Sequence, residues 1–475
     1  MPRSLQILFF SIIGIGVFFV LIVVALLLFV DINTYKPQLQ AAVSENMGME
    51  VNIGGQLRVD LFSGVLITLE DIHIRNRGKD LVFAKQASIG IDPVALFDKE
   101  FRIEKVVLKN PRIRIERAVD GTFNFTDPEK TGNNLSPLNL AEVSVADGSL
   151  IYEDLRSGEK VETESCSVDI SNLRYSGGKN SDLLKNLFFT AQFTCGKILR
   201  KNFTVSDVQS SVKGENGIFT FNPVTMDVFG AQGSGNLQAD FSGAVPRYNL
   251  RYSLSQFQIE EFFKILSPEK VAEGLMDFST NLSTQGETEE SMKQMLDGTF
   301  LLKGNNLTLK GSDLDEKIAQ FESSQNFNLV DIGASLVVGP LGLLVTKGYN
   351  FASILEKSEG SSEIRSFISD WRIERGVAQA LDVAMATNKN RIVLKGQLDF
   401  VNETFNEVIL AVIDAKGCII VQQEIRGTFQ EPIVEQPSIL KSLSGPVLGL
   451  LEMGRDLFPG GECKVFYSGS VPPPE

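Results

Sequence analysis

Histidine is almost missing from this 475-residue chain, which has His73 and no other. Any mechanism that needs two imidazoles, and any zinc site built mainly from histidine, is therefore excluded for a lone chain. His73 sits in Leu69-Glu70-Asp71-Ile72-His73-Ile74-Arg75. Strand alternation puts Ile72 and Ile74 on one face and His73 on the other, as expected for an exposed strand histidine rather than a catalytic base. Tryptophan occurs once and tyrosine seven times, against 33 phenylalanines. Phenylalanine adds apolar area with no polar atom to satisfy, which suits both a core and a surface that touches hydrocarbon. Basic residues are outnumbered, 45 Lys+Arg to 59 Asp+Glu. A net charge of −14 argues against nucleic acid as the partner. At 43% apolar and 22% charged, the chain is not a disordered one.

One long hydrophobic run is present. Residues 7–30 are uncharged, broken only by Ser11, Gly14 and Gly16, and as a helix they reach roughly 36 Å, enough for a hydrocarbon layer of about 30 Å. A cleaved secretory signal would have a shorter apolar region ending at a small-residue site. Here Leu28-Phe29-Val30-Asp31-Ile32 follows, so a retained transmembrane helix is expected. Arg3 precedes the span and Asp31 follows it, which leaves the amino terminus in the cytoplasm and the body across the membrane. Four cysteines, Cys166, Cys195, Cys418 and Cys463, suit an oxidising compartment. Nearest-neighbour pairing gives Cys166–Cys195 and Cys418–Cys463, although three pairings exist and four buried thiols are the alternative. None has the close spacing of a metal knuckle.

Beyond the span, 34–47 reads as a short amphipathic helix with Asn33 or Thr34 as cap, Pro37 in its first turn, and Leu39, Ala42, Val43 and Met47 on one face. From Glu50 onward the period is two. Arg112-Ile113-Arg114-Ile115-Glu116 and Thr122-Phe123-Asn124-Phe125-Thr126 both read as strands with one wet face. Similar runs recur through 57–61, 66–75, 81–91, 101–108, 168–175, 188–195, 203–213, 218–228, 248–254 and 277–283, and again at 363–373, 377–385, 391–399, 407–413 and 419–428. Within 66–75, Ile67 and Leu69 are odd-numbered while Ile72 and Ile74 are even-numbered, so a bulge near Glu70-Asp71 is expected to keep both pairs on one face. Helices are predicted only at 259–266, 289–296, 314–323, parts of 329–356, and 438–458. About twenty strands with so few helices cannot leave their apolar faces in water. Either the sheet closes as a sandwich or barrel, or it curls into a trough whose interior a ligand completes.

Asp31-Ile32-Asn33-Thr34-Tyr35-Lys36-Pro37, Gly48-Met49-Glu50-Val51-Asn52-Ile53-Gly54-Gly55-Gln56-Leu57 and Leu69-Glu70-Asp71-Ile72, following a membrane span, closely resemble the amino-terminal signature of the AsmA family. Further echoes are Phe229-Gly230-Ala231-Gln232-Gly233-Ser234-Gly235, Gly339-Pro340-Leu341-Gly342 with Thr346-Lys347-Gly348-Tyr349, and Cys463 to Val471. The resemblance implies a mainly β fold with few helices: a transmembrane helix, then an elongated, twisted antiparallel sheet curled into an apolar groove, as in repeating β-groove lipid-transfer bridges. It implies a Gram-negative inner-membrane protein with a periplasmic body, phospholipid as ligand, and a role in outer-membrane biogenesis, including regulation of protein targeting to that membrane. The expected organisation is a cytoplasmic tip (1–6), the span (7–30), a membrane-proximal module (31–130), central groove repeats (131–325) and a C-terminal module (326–475). Twenty strands side by side make a trough of only about 100 Å, so an outer-membrane or periplasmic partner protein, an oligomer or a more local role is expected; the alternative function is a structural or regulatory scaffold for outer-membrane protein assembly that carries no lipid.

An acyl-chain groove needs no catalytic constellation, cofactor or metal, only apolar side chains at alternate strand positions. Ile113, Ile115, Phe123, Phe125, Phe219 and Phe221 are the candidates, with packing against protein alone as the plain alternative. Residues 50–117 hold 12 Lys+Arg and 10 Asp+Glu. Arg58, Arg112, Arg114 and Arg117 are thus candidates for meeting lipid headgroups, or else charges on solvated strand faces. Segments 332–345 and 438–458 are candidates for dipping into a membrane, plugging the trough or covering a sheet edge. Gly230, Gly233 and Gly235 lack dinucleotide-binding spacing and read as turn glycines.

Overall fold

The computed structural model describes residues 32–474 apart from 48, 61–64, 93–94, 96–101, 126–137, 178–181, 201–202, 267–271, 311–312, 317, 320–359, 436–437 and 440–464. The predicted span 7–30, the segment 332–345, Cys463 and nearly all of the predicted helix 438–458 lie outside the described residues. Among the described residues no helix is long and apolar enough to cross a membrane. The chain forms two compact units, one of Met1–Asn134 with Leu138–Leu173, the other of Leu135–Pro137 with Arg174–Glu475.

The first unit begins with a 3₁₀ turn, Ile32–Tyr35, and helix α1, Lys36–Met47. The Asn33 carboxamide oxygen accepts the backbone N–H of Leu57 at 2.9 Å, while Lys36 donates to the carbonyls of Gly54 and Gly55 at 3.3 and 2.9 Å. Strands β1 (Glu50–Ile53) and β2 (Leu57–Asp60) pair end to end along β3 (Val65–Asn76), followed by β4 (Lys79–Ile91), β5 (Ile103–Arg117), β6 (Leu138–Asp154) and β7 (Glu159–Tyr175).

Two expectations are corrected here. The sheet is not wholly antiparallel, because β5 and β6 pair in parallel. The twenty-residue return between Arg117 and Leu138 is what permits this, since parallel neighbours need a crossover of about a dozen residues or more. Residues 122–125 of the predicted 122–126 strand are also not a strand. Phe123 makes one isolated bridge to Arg117, and the chain then turns, with Asn124 accepting from the Glu116 amide at 3.1 Å and donating to the Arg114 carbonyl at 2.8 Å. A side chain that competes for backbone groups in this way favours a turn over a ladder.

Strand β3 does change phase near Glu70-Asp71, which keeps both pairs on one face, but by a crease rather than the expected bulge, since β3 and β4 stay in register from Glu70–Gln86 to Ile72–Ala84. Asp71 has φ +57°, Asn110 +49° and Asp147 +53°, and Asn110 donates to the Asp147 carboxylate at 2.6 Å. Each strand changes phase at its crease residue: Leu69 to Ile72 in β3, Leu108 to Ile113 in β5, Val145 to Leu150 in β6. Cross-strand register keeps all of these on one face. Their core comprises Ile53, Leu57, Leu69, Ile72, Ala84 and Ala87, with Leu39 of α1 packed against it.

In the second unit consecutive strands pair antiparallel. They are β8 (Leu187–Arg200), β9 (Phe203–Glu215), β10 (Ile218–Val228), β11 (Ala231–Asp240), β12 (Arg247–Gln258), β13 (Ala272–Glu273), β14 (Leu275–Gln285), β15 (Asp297–Lys310), β16 (Ser361–Glu374), β17 (Val377–Ala386), β18 (Arg391–Asp399), β19 (Thr404–Ile413) and β20 (Ile419–Gly427). The short β13 pairs with β15 ahead of β14. Short β21 (Pro432–Val434) and β22 (Ser438–Ile439) pair with β20, so the first two residues of the predicted 438–458 helix are strand. No pairing between β20 and β8 closes the ladder among the described residues. Helices α2 (Ile259–Leu266) and α3 (Glu289–Gln294) fall where the sequence placed them. Leu314 and Ile318, from the predicted 314–323 helix, are buried.

Candidate functional site

The apolar face of the first unit is arranged in cross-strand rows. Ile53, Ile72, Ala84 and Pro111 form one row, and Leu57, Leu69, Ala87, Leu108 and Val145 another. Most of these are buried. The flanking rows differ. Val51, Ile74, Val82, Ile113 and Leu150 on one side, and Val59, Ile67, Ile89, Val106 and Val143 on the other, are all half-buried. The unit thus carries two stripes of aliphatic side chains, five strands wide, that its own helix does not fully remove from water. At a strand spacing of about 4.8 Å each stripe runs roughly 20 Å, close to the length of an extended acyl chain of a membrane lipid.

Ile113 and Ile115 lie on this face, opposite Leu150 and Tyr152. Phe123 joins them at the end of β5 by pairing with Arg117, and Phe125 stacks on Phe123 at 5.1 Å between centroids while 41% exposed. The four candidates in this unit therefore gather at one end of one face, although two arrive from a turn. Phe219 and Phe221 belong to the second unit. Phe219 is 8% exposed, between Phe189 and Phe241 at 6.0 and 5.8 Å. Phe221 is half-buried in a row with Ala191, Val212, Leu237, Leu250 and Leu282. Another row contains Tyr252, whose hydroxyl is buried with no partner among the described residues and whose pKa is pushed up to about 12 by burial and then by the charge of Asp227. Under α2, a small apolar pocket, partly open to solvent, is lined by Ile259, Phe263, Met276, Leu307, Phe367 and Met385 among others.

The four arginines separate. Arg58 pairs with Thr68 in register, Arg112 with Phe83 and Ser149, Arg114 with Ile151, all on the face opposite the apolar rows. There Arg58 lies 3.3 Å from Glu70 and Arg114 3.3 Å from Glu153, while Arg112 sits over the Phe83 ring. His73 shares that polar face, 3.5 Å from Asp71 and against Phe83. Only Arg117 has the parity of Ile113 and Ile115 and so closes the apolar face at its end, 3.3 Å from Asp154. Cys166, Cys195 and Cys418 are disulfide-bonded, which removes the reading of these as unrelated thiols.

Gly230 is a turn glycine, with φ +76°, but Gly233 and Gly235 are not. They lie inside β11 beneath Tyr252, where a Cβ on Gly233 would sit 2.1 Å from the Tyr252 hydroxyl and one on Gly235 2.1 Å from the Arg251 carbonyl.

Residues 1–176 and 179–379 match the model of the AsmA family. The chain belongs to the AsmA family. No curated protein matches it. Of the residues in the AsmA-like amino-terminal motifs, Val51 lies in a half-buried stripe, while Ile53 and Leu57 lie in the buried rows between the stripes. Val82, Val143 and Leu150 went unmarked, because strand β6 lacks clean alternation across its crease and β4 reads as ordinary amphipathic strand.

Proposed function

We propose that this AsmA family member is a bacterial inner-membrane protein, anchored by residues 7–30 with its body in the periplasm. It binds phospholipid acyl chains along an apolar strand face and supports lipid transfer to, and biogenesis of, the outer membrane. The observation that carries this reading is the half-buried row Val51, Ile74, Val82, Ile113 and Leu150. A sheet exposing that much contiguous aliphatic surface gains about 25 cal/mol per Å² when hydrocarbon covers it. No catalytic step is part of the proposal.

The test is site-specific photo-crosslinking of the full chain in cells. A photoreactive residue at position 113 or 150 is expected to capture phospholipid, whereas one at 112 or 114, on the opposite face, is not. Equal labelling of both faces, or none at 113 and 150, overturns the proposal. A second reading, a scaffold that influences outer-membrane protein assembly through contacts without carrying lipid, is supported by β16–β19. Trp371, Ala378, Ala384, Ile392, Leu398, Leu410 and Ala411 are fully buried there, on both faces of the strands, leaving no stripe for a tail.

A further inference from the structure

Arg117 differs from every other arginine of the first unit's sheet in where it points. Two-residue steps from Ile113 through Ile115 carry the apolar row to Arg117, just as Leu150 and Tyr152 lead to Asp154 on the neighbouring strand. A guanidinium and a carboxylate therefore end a hydrocarbon-lined face. Their pairing is incomplete. One Arg117 Nη donates to Asp154 at 3.3 Å, long for a charge-assisted bond, and the Nε is buried with no acceptor among the described residues. Asp154 has other work, accepting the backbone amides of Arg156 at 2.8 Å and Ser157 at 3.2 Å in the β6–β7 turn. The surroundings are greasy. The Phe123 ring lies under the guanidinium at 5.8 Å with Phe125 stacked on that ring, Leu155, whose amide donates to the Arg117 carbonyl, is 47% exposed, and Val119, two residues beyond Arg117, is 70% exposed.

We infer that Arg117 is a headgroup site: its guanidinium takes the phosphate of a phospholipid whose tail lies along Ile115, Ile113 and their row. The buried Nε supplies the donor that a phosphate oxygen satisfies, and the second nitrogen edge exchanges Asp154 for the anion. Four residues of strand separate Arg117 from Ile113, roughly 13 Å, so one lipid spans both. Exposed Val119, Phe125 and Leu155 favour an anion that brings its own hydrocarbon over free phosphate.

This inference rests on the groove reading and is tested separately from it. Full-length chain in detergent is titrated with phosphatidylglycerol carrying a fluorophore on one acyl chain, and with diacylglycerol carrying the same label but no phosphate. Wild type is expected to retain both, with phosphatidylglycerol the tighter. Arg117→Gln is expected to weaken phosphatidylglycerol about tenfold or more, the loss of a charge-assisted contact, and to leave diacylglycerol unchanged. Arg117→Lys should restore part of the difference, Asp154→Asn should tighten phosphatidylglycerol by freeing the guanidinium, and Arg114→Gln should change nothing. Equal weakening of both probes by Arg117→Gln, or no weakening of either, overturns the inference. Displacement of phosphatidylglycerol by millimolar inorganic phosphate, with diacylglycerol retained, also overturns it by assigning the site to the free anion. If wild type retains neither probe, the groove reading fails first.

Discussion

At the scale of single residues, Gly233 and Gly235 are a case where composition suggested one thing and packing another. A glycine-rich stretch signals a turn because glycine tolerates positive φ. Here two of the glycines are extended strand residues whose missing Cβ admits the Tyr252 ring, information that sits in a different strand. The two sites separate in test. Gly233→Ala collides with the end of a side chain, so Tyr252→Leu is expected to restore most of the lost urea midpoint. Gly235→Ala collides with the Arg251 carbonyl and should cost about 1–3 kcal/mol that no change at Tyr252 recovers. Tyr252→Phe alone removes a buried hydroxyl that has no partner among the described residues, and chemical denaturation should show it neutral or slightly stabilising. The raised Tyr252 pKa has the same cause, burial disfavouring the phenolate, with Asp227 adding repulsion.

At the scale of elements, most strands were legible because one face of each is apolar, and period two survives in the sequence wherever that face is continuous. Strand β18 fell at its predicted bounds for this reason. No strand was expected over β6, because its inward residues are odd-numbered at Val143 and Val145 and even-numbered from Leu150, so an unbroken template finds neither half convincing. The crease is the element-level device that such slips encode. Asn110 holds φ +49° there and bonds Asp147, so Asn110→Gly should be nearly neutral while Asn110→Val, β-branched and ill-suited to positive φ, lowers the thermal midpoint.

The C-terminal tail offers an electrostatic counterpart. Tyr467 donates to Asp382 at 2.6 Å, the Ser470 amide donates to the other oxygen at 2.9 Å, and Val471 packs into the core of Ile368, Ala384 and Val393. Across the ladder from Asp382 stands Asp370, whose carboxyl is pushed up by burial and then by Asp382. A raised folded-state carboxyl binds its proton more tightly folded than unfolded, so stability falls as pH rises from the unfolded value of about 3.9. Asp370→Asn should therefore raise the thermal midpoint at pH 7, and the gain should shrink as pH falls through the carboxylate range.

At the scale of the whole molecule, two kinds of apolar strand face carry one sequence grammar. Alternation cannot distinguish a stripe sealed by protein from one left half-exposed, since both need the same residues at the same spacing; only the partner surface differs. That is why the groove candidates mixed Phe219, packed among other phenylalanines, with Ile113, half-buried on a stripe of its own. The distinction becomes a measurement when a charge is placed on each kind of face. Ile392 is fully buried in β18, so Ile392→Asp strands an unpaired carboxylate where no solvent reaches it and should cost at least 3–5 kcal/mol, seen as loss of the cooperative unfolding transition or of soluble full-length chain. Val82 occupies the half-buried row between Ile74 and Ile113, where an aspartate can still reach water. Val82→Asp is therefore expected to unfold at nearly the wild-type midpoint while its lipid crosslinking from position 113 falls by most of its yield. If Val82→Asp proves as destabilising as Ile392→Asp, both faces are interior to the protein, and the strand face has no room for a lipid tail.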